Sequence, residues 1–279
     1  MRLFSRTFLS FVLLSGTVVL AQTNPAARAI PFVEPFPSGT FGTYATGFQG
    51  WNGLSGAIIN AQALAEASVP AGNATITAAN PVIGSAAGVY GSNGRVVLRT
   101  GSDATNGVDQ LMMAINTTGH SNVLLSYSVK SVLTGPVTAG IVCQFRVGTT
   151  GAWTTLIPTV GTNPYLQTSG FTGIMTNVGA TLPPTCDNQP VVQVRWALWR
   201  GVQVGNSRAL GIDDVAVTLL ADDECAGALP LALQLPENCP ANAITGSTVG
   251  ATDSGPDCLS ATTDVWYVIT PDSGSAATV

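Results

Sequence analysis

The chain has 279 residues, and only 9% of them are charged, with a formal net charge of −5 at pH 7. Hydrophobic residues make up 46% of the chain, which excludes disorder caused by low hydrophobicity. Its ten Lys and Arg residues form no cluster, which excludes a nucleic-acid partner, since phosphate binding needs clustered basic side chains.

The first 21 residues predict an export signal. Arg2 and Arg6 precede an apolar run from Phe8 to Leu20, and Ala21 completes a small-residue cleavage pattern. The run is short and is interrupted by hydroxyl residues, which favours a cleaved signal over a membrane anchor. We therefore expect a secreted or cell-surface protein, with no membrane insertion after signal removal.

After a short linker at 22–29, residues 30–220 predict one β-rich domain. Residues 31–36 read as a brief extended segment and the Gly-rich stretch 41–56 as a loop. Residues 57–68 predict a helix that Pro70 ends. The predicted strands are 94–101, 109–116, 122–130, 141–147, 152–157, 191–199 and 209–220.

Several of these strands alternate between apolar and polar residues, as half-buried antiparallel strands do. The stretch 141–147 continues through a Gly-Thr-Thr-Gly turn into 152–157, which predicts a hairpin. Strands separated by turns, without alternating helices, indicate an all-β antiparallel β-sandwich.

Five cysteines are present, at no spacing typical of a metal pair, with His120 as the only histidine. A structural zinc site is therefore not expected. Cys143 and Cys186 are the two cysteines of the first domain, and export permits a disulfide between them. The alternative is that both are buried free thiols, which behave as small apolar residues.

Residues 221–279 differ in character from the domain before them. Of the 15 Asp and Glu residues, ten lie from Asp213 onward. The clear strand in this segment is 264–270, too little for an independent core. We expect a partial second β-module that is cut short and does not fold by itself.

Several motifs carry a resemblance to known families. The stretches "FVEPF", "QFRVGTTGAWTTL" and "QPVVQVRWALWRG…LGIDDVAVT" resemble secreted bacterial jelly-roll β-sandwich modules: carbohydrate-binding modules, MAM domains and cleaved-adhesin domains. The resemblance covers roughly residues 30–220. The stretch "DDECAGALPL…CLSATTDVWYVIT" resembles the start of a second module of exported bacterial proteins. That resemblance implies a Cys225–Cys258 disulfide and leaves Cys239 unpaired.

The jelly-roll resemblance also implies a structural calcium ion where the first and last strands meet. Glu34 and Asp213 match its acidic ligands, and Asp214 is the neighbour on the opposite strand face. The alternative is that one aspartate lies in water while the other caps a turn. Because adjacent strand residues face opposite ways, Asp213 and Asp214 cannot flank one substrate bond as a catalytic pair.

Aromatic residues are the candidate ligand contacts. Trp153 and Trp199 lie near strand ends and could stack on sugar rings, as aromatic platforms do in carbohydrate-binding modules. Trp196 shares a strand face with Val192 and Val194, which predicts a core position. His120 lies in a turn and no Gly-x-Ser-x-Gly elbow accompanies it, so no enzyme activity is expected.

These observations predict an exported, non-catalytic recognition or adhesion protein whose partner is an extracellular glycan or a surface protein. Two alternatives remain open. The domain could be an accessory N-terminal module of a larger secreted nuclease or peptidase, with the catalytic domain beyond Val279. It could also be an architectural spacer of a surface protein.

Overall fold

The computed structural model describes residues 22–53, 61–100, 109–133, 138–167, 175–201, 208–219, 229–230 and 267–268. The predicted signal peptide and the three C-terminal cysteines, Cys225, Cys239 and Cys258, lie outside the described residues. None of the helices described there has the length and apolar character needed to cross a membrane.

The chain is built almost entirely of strands. In chain order they are β1 (Arg28–Ala29), β2 (Phe32–Glu34), β3 (Phe48–Gly53), β4 (Pro70–Ala74), β5 (Ile76–Thr77), β6 (Gly88–Ser92), β7 (Arg95–Arg99), β8 (Asp109–Asn116), β9 (Val123–Leu133), β10 (Ala139–Val147), β11 (Thr154–Thr155), β12 (Tyr165–Gln167), β13 (Met175–Thr181), β14 (Val192–Arg200) and β15 (Ala209–Leu219). A short helix, α1 (Gln62–Glu66), and a 3₁₀ turn at Pro184–Cys186 complete this part.

These strands form two sheets. The eight-stranded sheet has the order β11-β10-β14-β8-β3-β4, with β1 beside β8 and β12 beside β10. The seven-stranded sheet has the order β13-β9-β15-β7-β6-β5, with β2 beside β15. Apart from the parallel pairs β1–β8 and β5–β6, the neighbouring strands of these sheets run antiparallel.

One apolar core lies between the two sheets. Tyr127 of the seven-stranded sheet meets Trp196 of the eight-stranded sheet edge-on, with 5.3 Å between the ring centroids. Both side chains belong to one cluster of buried residues that draws on both sheets. The predicted all-β sandwich is therefore confirmed, and Trp196 takes the core position that its strand face predicts.

Alternation explains which side chains reach this core. Along β9 the residues expected on one face, Val123, Leu125, Tyr127 and Val129, are all buried in it. On β10 and β14 the same rule turns one face inward and leaves the other facing away from the core. That second face of the eight-stranded sheet carries the polar side chains discussed below.

The prediction of a loop over 41–56 is wrong in its second half, because Phe48–Gly53 forms β3. The strand was not predicted because of its glycines. A Cβ at Gly50 would collide with the Tyr44 ring, so the position requires a residue without a side chain, which reads as a turn signal. The helix predicted at 57–68 is shorter, Gln62–Glu66, and residues 54–60 lie outside the described part.

Two short strands are described in the C-terminal segment. β16 (Leu229–Pro230) pairs in parallel with β17 (Tyr267–Val268), which lies within the strand predicted at 264–270. The remaining residues of 221–279 are outside the described part of the chain. The partial second module, and the Cys225–Cys258 disulfide within it, therefore stay predictions.

Candidate functional site

The two adjacent aspartates lie in a β-bulge. Asp213 is paired with Ser128 of β9, but Ala216 is paired with Ser126, so β15 holds one residue more than its partner. Asp214 is exposed and has a φ of +48°, the backbone conformation of an extra bulge residue. The bulge lets Ile212 and Val215 both face the core although they are three residues apart.

Asp213 is buried on the side of the seven-stranded sheet that faces away from the core. Its Oδ2 accepts a hydrogen bond from Arg95 Nη2 at 3.2 Å, and its Oδ1 accepts one from the Asp214 amide at 2.9 Å. Burial raises the pKa of Asp213, and these two donors offset only part of that effect. The carboxylate is therefore compensated in part within the protein.

Glu34 has a different cation partner. Its Oε2 accepts from Arg28 Nη1 at 2.9 Å, and its Oε1 accepts from the Phe36 amide at 3.2 Å. Glu34 is in register with Val215, a core residue, so its side chain starts on the core face of the sheet. Glu34 and Asp213 thus leave the sheet on opposite faces, and each has its own arginine.

Oxygen atoms of the kind that calcium prefers lie near Gly94. The three heavy atoms nearest to an ideal Cβ there are Asp213 Oδ2 and the Pro35 carbonyl oxygen, both at 3.7 Å, and Asp213 Oδ1 at 3.9 Å. Carboxylate and carbonyl oxygens suit Ca²⁺. Neither Glu34 nor Asp214 contributes any of those three atoms. Among the described residues, no group of three or more Asp, Glu, His or Cys side chains is arranged to hold a metal ion.

The disulfide expected between Cys143 and Cys186 is not formed. Both cysteines are free and completely buried in the core. Burial raises the pKa of both thiols, that of Cys186 to about 11. The structure agrees with the other possibility that the sequence left open, in which both cysteines are buried free thiols that pack as small apolar side chains.

A polar and aromatic surface lies on the face of the eight-stranded sheet that points away from the core, which we call the outer face. Alternation along β8, β10 and β14 assigns to it Gln110, Gln144, Arg146, Gln193, Arg195 and Trp199. The centre of this face is covered. Arg195 donates to the carbonyl oxygens of Glu66 and Ser68, at 2.6 and 2.8 Å, in and just after α1.

Trp153 lies over one end of the outer face. The guanidinium carbons of Arg146 and Arg195 lie 4.3 and 4.4 Å from its ring centroid. Trp51, which is fully buried, meets the ring edge-on with 6.3 Å between centroids. Both arginines rise from neighbouring strands of one sheet, and the indole as a whole is only half-buried.

Trp199 is placed differently. Its indole covers Gly140, where an added Cβ would lie 2.7 Å from ring atoms, and it packs on a small cluster of Ala65, Val142 and Ala197. Trp199 is paired with Gly140 of β10, whereas β11, which follows Trp153, pairs at Gln144 and Phe145. The two tryptophans therefore lie at opposite ends of β10, roughly 20 Å apart at about 3.3 Å per residue, and do not form one platform.

Sequence reasoning identified Trp153 but missed the two arginines beneath it. Arg146 and Arg195 occupy alternating positions in strands whose other face is apolar, and a polar second face was the available signal. His120 lies in the turn between β8 and β9, where its amide donates to the Thr117 carbonyl over 2.9 Å.

No protein-family model matches the chain, and no curated protein sequence matches it. Several solved structures are similar. The K3 cleaved adhesin domain of Lys-gingipain from Porphyromonas gingivalis has 11% identity and a TM-score of 0.34, over 46% of this chain and 75% of that one. The N-terminal cellulose-binding domain of Cellulomonas fimi β-1,4-glucanase C has 14% identity and a TM-score of 0.32, over 66% and 96%.

A third solved structure, a carbohydrate-binding module of family 28 specific for non-crystalline cellulose, has 12% identity and a TM-score of 0.29, over 47% of this chain and 80% of that one. Carbohydrate-binding modules and cleaved adhesin domains are the kinds of module that the sequence resembles. At these scores and identities, no ligand or binding residue carries over to this chain.

Proposed function

We propose that this protein is an exported, non-catalytic recognition module that binds glycans at the Trp153 end of the outer face. The observation that carries the proposal is the half-buried Trp153 ring, which lies against the guanidinium groups of Arg146 and Arg195. An aromatic ring held in this way keeps part of its surface accessible to a ligand and loses little side-chain entropy on binding.

The glutamines beside the ring are buried, and they hold the two arginines in place. Gln193 accepts from Arg146 Nε at 2.8 Å, and Gln144 accepts from Arg195 Nε at 2.9 Å, so the guanidinium groups that support the ring are fixed before a ligand arrives. A preorganised aromatic surface with a few fixed polar groups is typical of small-ligand sites.

We also propose a structural calcium ion beside Gly94. The Asp213 carboxylate and the Pro35 carbonyl oxygen would hold it, and the ion would supply positive charge to a buried carboxylate that Arg95 compensates only in part. Glu34, which the resemblance named as a ligand, would reach the ion only by exchanging its contact with Arg28. The ion would stabilise the fold and take no part in glycan contact.

Screening the protein against immobilised glycans tests the function. We expect binding to a defined set of polysaccharides, lost in Trp153→Ala and largely retained in Trp153→Tyr, which keeps an aromatic ring. Met175→Ala is the matched control, because this half-exposed apolar side chain lies on the other sheet. If Trp153→Ala, folded and melting normally, binds the same glycans as the wild type, the site is not at Trp153. If the wild type binds no glycan, the proposed function is wrong.

A further inference from the structure

We infer that the glycan bound at the Trp153 end of the outer face is acidic, carrying carboxylate or sulfate groups. The inference rests on the proposed function and names the ligand class of the same site. It follows from the charges beneath the ring, from the unsatisfied hydrogen-bonding capacity of Arg146, and from the place of Arg146 under an exposed turn.

The two guanidinium groups under Trp153 have no carboxylate partner. In the described ranges the ion pairs are Arg28–Glu34 and Arg95–Asp213, so neither Arg146 nor Arg195 forms one. The nearby carboxylate is Glu66, whose Oε1 accepts from Gln62 at 2.8 Å and from Thr155 at 3.1 Å. Two positive charges and one negative charge leave this end of the face with an excess of positive charge.

Arg195 is satisfied by neutral acceptors and has little left to offer a ligand. It donates to the carbonyl oxygens of Glu66 and Ser68 and to the side chains of Gln144 and Gln110, at 2.6 to 3.3 Å. Burial, and then the nearby charge of Arg146, lowers its pKa to about 9. The charge of Arg195 therefore acts on the site mainly through its field.

Arg146 is the arginine with hydrogen-bond donors available to a ligand. Among the described residues, its Nε donates to Gln193 at 2.8 Å, its Nη1 has a long contact of 3.4 Å with the Gly151 carbonyl oxygen, and its buried Nη2 has no hydrogen-bond partner. A carboxylate or sulfate accepts two parallel hydrogen bonds from the fork of a guanidinium. Such a group would replace the weak Gly151 contact and satisfy Nη2 at the same time.

The turn that covers Arg146 would have to move for a ligand to reach the guanidinium group. Residues 149–152 are exposed, and Gly148 and Gly151 have φ values of +76° and +95°. A small displacement of this turn would break the contact with the Gly151 carbonyl oxygen and free Nη1 of Arg146. A sugar stacked on Trp153 would then direct its acidic substituent toward Arg146.

Matched polymer pairs test the inference. We expect the protein to bind polygalacturonate at least tenfold more tightly than fully methyl-esterified polygalacturonate if a carboxylate is recognised, or dextran sulfate at least tenfold more tightly than dextran if a sulfate is. Raising the salt concentration should weaken the preferred interaction, because salt screens charge–charge attraction.

Variants then locate the effect. Arg146→Gln should reduce binding of the acidic polymer to the level of its neutral counterpart. Lys130→Gln, which removes the same charge from a residue of the other sheet, should leave binding unchanged. Arg146→Lys keeps the charge without the fork and should show an intermediate loss, and it remains informative if Arg146→Gln does not fold.

The outcomes separate the two proposals. Equal or tighter binding of neutral polymers, or equal losses in Lys130→Gln and Arg146→Gln, overturns the acidic ligand and leaves glycan recognition standing. Failure to bind any glycan, neutral or acidic, overturns the proposed function as well.

Discussion

Arg95 and Asp213 form an ion pair across two neighbouring strands of the seven-stranded sheet, with 3.2 Å between Nη2 and Oδ2. Their side chains are 19% and 10% exposed, so the pair lies between a surface salt bridge and a fully buried one. Removing one partner leaves the other charge in a poorly solvated position.

We expect Arg95→Met to lower the free energy of unfolding by about 1–3 kcal/mol, between the values typical of exposed and of buried pairs. The double variant Arg95→Met with Asp213→Asn should recover part of this loss, because it leaves no unpaired charge. Urea denaturation of the wild type, both single variants and the double variant measures the coupling. Strictly additive effects would show that the two groups do not interact.

Calcium removal should destabilise the sandwich if the ion binds beside Gly94. An ion that binds only the native state at about 100 times its Kd adds about 2.7 kcal/mol to the free energy of unfolding. The protein should therefore melt at a lower temperature in EDTA, and Asp213→Ala should abolish the difference. Asp214→Ala should retain it, since Asp214 is exposed and contributes none of the three atoms nearest to the Gly94 position. An identical Tm with and without calcium would refute the ion.

The thiols of Cys143 and Cys186 should be free but unreactive in the native state. Both are fully buried and burial raises their pKa values, so neither provides an accessible thiolate near neutral pH. After denaturation without reductant, both should be alkylated, which peptide mapping by mass spectrometry would detect. A Cys143–Cys186 cross-linked peptide would instead restore the disulfide that the sequence suggested.

Asp109 should make the sandwich less stable as the pH rises from about 4 to about 7. Its side chain is only 8% exposed, and burial raises its pKa from 3.8 to about 7. Between these pH values the folded state holds a proton that the unfolded state has lost, so this contribution is complete below about pH 4 and is lost as the pH passes 7.

The stability lost through Asp109 is on the order of 4 kcal/mol, at about 1.4 kcal/mol per pH unit. Asp109→Asn cannot ionise and should flatten the dependence. Denaturation curves at pH 4, 5.5, 7 and 8 for both proteins measure the difference. Parallel curves for wild type and variant across this range would contradict the assignment to Asp109.

Strands with clean alternation were predicted almost residue by residue. Asp109–Asn116 forms a strand with the predicted ends, and Ala209–Leu219 ends one residue before the predicted end, although its bulge at Asp214 was not foreseen. Two strands that were missed, Phe48–Gly53 and Met175–Thr181, contain glycines, and Gly50 in the first lies too close to the Tyr44 side chain to carry a Cβ. Residue propensities predict turns at such glycines because they take no account of the segment that packs against the glycine.

The site was only partly predictable for a related reason. The positions of Trp153 and Trp199 near strand ends follow from the sequence. The stack of Trp153 on Arg146 and Arg195 depends on β10 lying beside β14, two strands some fifty residues apart along the chain. Strand order in a sandwich is set by packing of the whole core, so no local pattern reveals which side chains become neighbours.

The environment of the Trp153 indole during a glycan titration tests the central claim most directly. In a two-dimensional ¹H–¹⁵N NMR spectrum, we expect the Trp153 indole resonance, assigned through Trp153→Tyr, to shift progressively and saturably as a bound polysaccharide fragment is added. The Trp196 indole, buried in the core, should stay in place. A titration in which the fragment binds while the Trp153 resonance does not move would contradict glycan recognition at this face.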